Sequence, residues 1–141
     1  MSLFNIFNVS GSALNAQTIR LNTTASNLAN AESVNGDSSK IYRARHPVFQ
    51  TMMDADAQSF EDEQAGAGVK VLGVVESQTP PTMRYAPENP LANKEGYVFT
   101  SNVNSIEEMT NMISANRSFS TSVEAINTAR DLLLKTIQMG H

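Results

Sequence analysis

The chain has 141 residues, a net charge of −4, and neither cysteine nor tryptophan. Nucleic acid and anionic membrane surfaces are excluded as main partners, because both require clustered lysine and arginine. The absence of cysteine also excludes a disulfide framework, a thiolate nucleophile and a cysteine zinc site. Residues 1–9 have neither the basic nor the apolar region of a cleaved signal peptide, so any export is expected to proceed without one.

Residues 1–36 are predicted to form a helix that is almost without charge, since only Arg20 and Glu32 are ionised in this stretch. Surface helices normally carry a charged outer face, whereas uncharged polar side chains can be buried at much lower free-energy cost. A helix surrounded by protein is therefore favoured over a helix exposed on its own domain. Gly36 is the expected stop. The apolar stripe is Leu14, Leu21 and Leu28, and a polar row on another face is Asn8, Asn15 and Asn22.

Residues 37–104 are predicted to form a small β-rich module built from hairpins. A strand-like segment interrupted by Pro47 is expected at 40–52, short strands are expected at 69–76 and 97–100, and a return strand is expected at 83–85. The segment 53–68 combines acidic residues with glycines, so it is interpreted as a solvated loop.

Residues 105–141 are predicted to form a second helix that begins with a capping box, in which Ser105 caps the helix and Glu108 reaches back. Apolar residues follow at alternating spacings of three and four, as in a coiled coil. Asn116 and Arg130 interrupt this seam. Either they fix register or partner choice, or the helix rotates and both reach solvent. Gly140 is the expected end of the helix.

The fold class is therefore α+β. Two long terminal α-helices, in 1–36 and 105–141, would form a coiled-coil-like pair, parallel or antiparallel, with the β-hairpin-rich module 37–104 inserted between them. A pair this narrow buries too little to be securely stable alone. We expect its ends to become ordered on assembly with other subunits.

Catalytic chemistry is not indicated anywhere in the sequence. His46 and His141 are the only histidines, and neither has a second histidine at helical spacing. The acidic run 54–63 lacks the ligand spacing of a calcium loop. No phosphate-binding loop or nucleophile elbow is present. We predict no enzyme activity, catalytic residue, metal, cofactor or small-molecule substrate.

Two parts of the chain resemble the flagellar rod and axial protein family. The first is Ser10–Ala31, with the core Ser26-Asn27-Leu28-Ala29-Asn30-Ala31. The second comprises Asn89-Pro90-Leu91-Ala92-Asn93, Glu95-Gly96-Tyr97-Val98, Asn102-Val103-Asn104 and the final helix with Ser114-Ala115-Asn116-Arg117-Ser118-Phe119. The first part marks the class, and the second is similar to its proximal-rod members. Phe119 stands where the family often has tyrosine.

The resemblance implies a structural subunit of the bacterial flagellar basal-body proximal rod, exported by the flagellar type III apparatus. It would polymerise with copies of itself and with other rod proteins, proximal and distal, and with the adaptor to the MS ring. The product would be the periplasmic drive shaft that transmits torque. The alternative is another axial or type III secretion-apparatus subunit. Expected subunit-packing residues are Leu14, Leu21, Leu28, Met109, Met112, Phe119, Val123, Ile126, Leu133 and Ile137.

Overall fold

A computed structural model describes residues 3–52 and 68–139. It confirms the predicted α+β architecture of two terminal helices with a small β-module between them. The acidic segment lies outside the described residues up to Gly68, where a strand begins, and so does the predicted helix end at Gly140. The elements in chain order are α1 (Leu3–Ala29), β1 (Val34–Asn35), β2 (Arg45–Met52), β3 (Gly68–Glu76), β4 (Thr82–Tyr85), β5 (Tyr97–Thr100) and α2 (Ser105–Met139).

The strands form two separate sheets. Strands β1, β5 and β4 make a three-stranded sheet in that order, and β2 pairs with β3. Both pairings in the first sheet are antiparallel, with Val34 opposite Thr100 and Met83 opposite Phe99. The predicted return strand thus pairs with the strand that follows it. Pro80 and Pro81 separate β3 from β4, and proline cannot donate to a ladder.

Helix α1 ends at Ala29, before the predicted stop at Gly36. The amide of Asn30 donates to the carbonyls of both Ser26 and Asn27, at 3.2 and 3.1 Å. The hydroxyl of Ser33 donates to the carbonyl of Asn30 at 2.8 Å. These bonds close the helix with a turn that leads into β1, which lies inside the segment predicted to be helical.

The cap of α2 lies one residue earlier than predicted. Asn104 Oδ1 accepts from the amides of Ile106 and Glu107, at 3.1 and 3.4 Å, so Asn104 and not Ser105 is the N-cap. Glu108 does not reach back to the start of the helix. Its side chain is buried, and Oε1 accepts a hydrogen bond from Asn27 on α1.

The chain divides into two compact units, and each helix contributes to both. Unit 1 contains Met1–Ile19, Val48–Gly73 and Ser114–His141, and unit 2 contains Arg20–Pro47 and Val74–Ile113. Among the described residues, the buried apolar side chains of unit 1 are all alanines. Those of unit 2 include Ile41 and Val98, so the larger buried apolar side chains of the described residues lie in unit 2.

Within unit 2, the end of α1 runs antiparallel to the start of α2. Arg20 Nη2 donates to Asn111 Oδ1 at 3.3 Å. Asn27 Nδ2 donates to Glu108 Oε1 at 3.1 Å. From Arg20 to Asn27 the residue number rises along α1, whereas the number of the bonded partner on α2 falls from Asn111 to Glu108. Of the two orientations left open by the sequence, the antiparallel one holds in this unit.

The inner line of α2 is shifted by one residue from part of the predicted seam. Glu108, Ala115 and Ala129 are buried, and Ser122 between them is half-buried. Asn116 and Arg130, which the heptad pattern assigned to the seam, are exposed. In the single chain the helix is thus rotated so that both reach solvent. No helix within residues 3–52 and 68–139 is long and apolar enough to cross a membrane.

Candidate assembly surface

Asn27 is the centre of the polar network that organises unit 2. Its side chain is 1% exposed. Nδ2 donates to the Arg45 carbonyl at 2.8 Å and to Glu108 Oε1 at 3.1 Å. Oδ1 accepts from the Tyr42 hydroxyl at 2.8 Å and from the Arg45 amide at 2.9 Å. Two donors and two lone pairs are the full capacity of an amide, so this buried group is completely satisfied and joins α1, β2 and α2.

The start of β2 is held by a second layer of contacts around Tyr42 and Arg45. The Tyr42 hydroxyl lies 3.2 Å from Ser26 Oγ. The Arg45 guanidinium lies 5.5 Å from the centre of the Tyr42 ring and 3.0 Å from Glu76 Oε1. Both members of that ion pair are exposed, so its contribution to stability is small. Its main effect is to position the two strands.

The Asn89–Tyr97 string forms a compact turn with demanding backbone geometry. Asn93 Oδ1 accepts from the amides of Glu95 and Tyr97, at 3.0 and 2.9 Å. Gly96 has a φ of +80°, a conformation that side chains other than glycine rarely adopt. A Cβ at Gly36 would lie 2.5 Å from the Leu91 carbonyl oxygen. The string that carries the family resemblance therefore has a structural role.

Asn102 links the last strand to two loops. Oδ1 accepts from the Ala44 amide at 2.7 Å, and Nδ2 donates to the Thr79 carbonyl at 2.8 Å. With Asn104 capping α2, two asparagines of the Asn102-Val103-Asn104 string thus have defined partners. The sequence alone identifies this string as a family marker and gives no indication of these contacts.

The predicted packing residues all retain solvent-accessible surface in the single chain. Met109 and Ile137 are exposed, at 52% and 61%. The other eight are half-buried, and they are Leu14, Leu21, Leu28, Met112, Phe119, Val123, Ile126 and Leu133. None of the ten is fully enclosed by its own chain, and their role in contacts between subunits stays a prediction.

An exposed apolar stripe at the start of α2 was only partly found from the sequence. Ile106 and Ile113 are exposed by 78% and 57%, and Met109 lies between them on the same helix face. The heptad assignment found Met109 alone, because it placed the seam one residue away from the buried line. The spacing of three and four through Ile106 was the signal that could have identified the stripe.

The exposed face of α1 is uncharged from Asn8 to Ala29. Asn8, Asn15 and Asn22, which form the predicted polar row, are exposed in the single chain. The positions between them on the same line carry equally short side chains, and this line is Asn8, Gly11, Asn15, Thr18, Asn22, Ala25 and Ala29. Side chains of this size allow close approach of a second helix.

Chemistry other than packing finds little support in the described part of the chain. Residues 3–52 and 68–139 contain no group of three histidine, aspartate or glutamate side chains suited to a metal ion. His46 lies on β2 and is exposed.

Known proteins match this chain over almost its full length. A family model for flagella basal body rod proteins covers residues 7–36, and one for the C-terminal region of flagellar basal body rod FlgEFG proteins covers residues 94–139. The chain is 49% identical to flagellar basal-body rod protein FlgC of Salmonella typhimurium strain LT2, over 99% of both chains. It is 48% identical to FlgC of Escherichia coli O6:H1 and 35% identical to FlgC of Bacillus subtilis, again over 99% of each. The chain belongs to the FlgC family of flagellar basal-body rod proteins.

Proposed function

We propose that this protein is a structural subunit of the flagellar basal-body rod, in its proximal part. The observation that carries the proposal is the stripe of Ile106, Met109 and Ile113, which is exposed by 52–78% in the single chain. Contiguous exposed apolar surface is characteristic of interaction sites. The full-length similarity to rod proteins supports the rod as the assembly in which this surface is covered.

Packing would hold the subunit in a shaft that transmits torque. Full burial of one large apolar side chain contributes about 1.5–3 kcal/mol. Several such side chains in each subunit would therefore resist shear together. The uncharged face of α1 fits this environment, because burial of short polar groups costs far less than burial of charges.

The proposed partners are copies of this chain, other proximal and distal rod proteins, and the adaptor to the MS ring. The subunit would pass through the flagellar type III export apparatus without a cleaved signal and would act in the periplasmic part of the basal body. We propose no catalytic activity, since packing alone accounts for this role.

Deletion of the gene, followed by imaging of basal bodies, tests the proposal. We expect mutant cells to keep the membrane ring but to lack rod and hook, and the intact gene to restore both structures and swimming. Normal hooks and swimming in the deletion strain, with no second copy of the gene present, would contradict a rod role.

A further inference from the structure

A polar pocket in unit 2 is lined by basic side chains near the end of α1. Its volume is about 490 Å³, and the charged residues in its wall are Lys40, Arg43, Arg45 and Glu76. The carbonyls at this helix end already accept hydrogen bonds from the turn that follows. Basic side chains outnumber acidic ones in the wall by three to one.

Two of the three cations in the pocket already have anionic partners. Arg45 pairs with Glu76 at 3.0 Å, and Lys40 lies 4.0 Å from Asp37. Asp37 also accepts from the amide and hydroxyl of Ser39, at 2.9 and 2.7 Å. Both nearby carboxylates are thus already engaged within their own chain.

Arg43 is different. Its side chain is half-buried and has no ion pair or hydrogen bond among the described residues. A guanidinium has five N–H donors in a planar fork that matches a carboxylate. Gln17 Oε1 is the buried side-chain oxygen or nitrogen without a partner among the described residues, so the guanidinium nitrogens of Arg43 still reach solvent and are open to an incoming anion.

We propose that the pocket beside Arg43 receives an acidic side chain from a neighbouring rod subunit. The inference rests on the proposed function, because the rod supplies that neighbour. A carboxylate is favoured because it matches the fork of Arg43 and because this chain has 14 acidic residues against 10 basic ones, so a second copy offers many candidates. A bond of this kind would fix the register of one subunit on the next more than it would add affinity.

The chain offers a matched control for this cation. Arg84 lies on β4, is exposed, and has no ion pair among residues 3–52 and 68–139. Arg43→Gln and Arg84→Gln change the net charge equally, so a difference between them reports the pocket and not the overall charge. Equal unfolding midpoints of the two variants will show that both fold.

Binding is tested by NMR on the full-length chain at constant ionic strength. The probe is an acetylated and amidated tetrapeptide of aspartate and glutamate, compared with its asparagine and glutamine analogue and with sodium acetate. We expect the acidic peptide to give saturable shifts at the amides of residues 39–43. The half-saturating concentration should rise about tenfold in Arg43→Gln and stay unchanged in Arg84→Gln.

Equal half-saturation in wild type and Arg43→Gln, or no saturable shift, would overturn the proposal. Equal affinity for acetate would overturn the assignment to a protein segment. In cells, Arg43→Glu is expected to abolish swimming while Arg84→Glu swims. If Arg43→Glu cells swim normally while cells lacking the gene still lack rods, the pocket proposal fails and the rod role stands.

Discussion

Asn27 Nδ2 donates a hydrogen bond to Glu108 Oε1 at 3.1 Å, across 81 positions of sequence, and this bond joins the end of α1 to the first turn of α2. Both side chains are buried. Because Asn27 also bonds Tyr42 and both backbone groups of Arg45, one amide fixes the positions of two helices and a strand.

Replacement of Asn27 by alanine is expected to lower the free energy of unfolding by about 3 kcal/mol. The change leaves the buried carboxylate of Glu108 and the backbone amide of Arg45 without their Asn27 partner, and a buried group left unsatisfied costs roughly 1–3 kcal/mol. Urea denaturation measures the loss. Asn22→Ala is the matched control, because Asn22 lies on the same helix and is exposed. Equal midpoints for the two variants would contradict the role of Asn27.

Gly36→Ala is expected to destabilise unit 2 because the new Cβ would lie 2.5 Å from the Leu91 carbonyl oxygen. That overlap forces a backbone shift, and the free energy of unfolding should fall by about 1–3 kcal/mol. Gly73→Ala is the control, since a Cβ there meets nothing within 4 Å. If Gly73→Ala unfolds at a lower temperature than Gly36→Ala, the contact between a Cβ at position 36 and the Leu91 carbonyl does not govern stability.

Gly11→Ala should stabilise the isolated chain by about 0.5–1 kcal/mol, because alanine favours the helix interior and a Cβ at this position meets nothing within 4 Å. If the exposed face of α1 is covered in the rod, the same methyl group should reduce swimming. A variant that is more stable yet swims poorly would place Gly11 in a contact between subunits. Unchanged swimming would argue against close packing at this position.

Amide exchange should divide α1 into two parts in the isolated chain. Residues 5–19 belong to unit 1, whose described buried apolar side chains are alanines, whereas residues 20–29 carry the Asn27 network. We expect faster exchange in the first part and in residues 114–139 of α2. Assembly into rods should protect both. Uniform protection along α1 in the free chain would contradict this division.

Met109→Asp should leave the fold intact and block assembly, because Met109 is 52% exposed in the single chain. Ile126→Asp should block assembly and also lower stability, since Ile126 is half-buried. Unfolding midpoints, measured beside complementation of swimming in the deletion strain, separate the two effects. Normal swimming with Met109→Asp would remove this residue from the proposed interface.

The turn at Asp37 should loosen only in strong acid. Hydrogen bonds from the amide and hydroxyl of Ser39 lower the pKa of Asp37 below its usual 3.8, and Lys40 adds a smaller effect. Because the pKa of Asp37 is lower in the folded chain than in the unfolded chain, its ionised carboxylate stabilises the fold at pH values above the unfolded pKa. This contribution is lost as the pH falls through the folded pKa. Carboxyl NMR of wild type and Ser39→Ala measures it, and the variant should titrate at higher pH.

Periodicity and turn chemistry located most elements. The strand predicted at 97–100 is β5 without change, and the strand predicted at 69–76 is β3 extended by Gly68. The shortest elements could not be predicted from the sequence. A two-residue strand such as β1 has no periodicity of its own, and it exists because Val34 and Asn35 pair with β5.

The packing seam shows where a heptad pattern is insufficient. Half of the predicted seam is half-buried, as in Met112, Phe119, Ile126 and Leu133. The fully buried positions of α2 are instead Glu108, Ala115 and Ala129, which the heptad pattern does not include. Alanine and a hydrogen-bonded glutamate do not register as an apolar stripe. The Asn27 contact that buries Glu108 depends on residues far apart in sequence, which no local pattern contains.

The sequence by itself determined the two terminal helices, the β-module between them and the family to which the chain belongs, because these depend on local periodicity and on contiguous strings of residues. Only the tertiary structure decided the antiparallel helix contact in unit 2, the rotation of α2 that exposes Asn116 and Arg130, and the lack of an ion pair for Arg43 among residues 3–52 and 68–139. Each of these depends on which distant groups satisfy one another once the chain has folded, and hydrogen bonds between distant groups leave no period in the sequence.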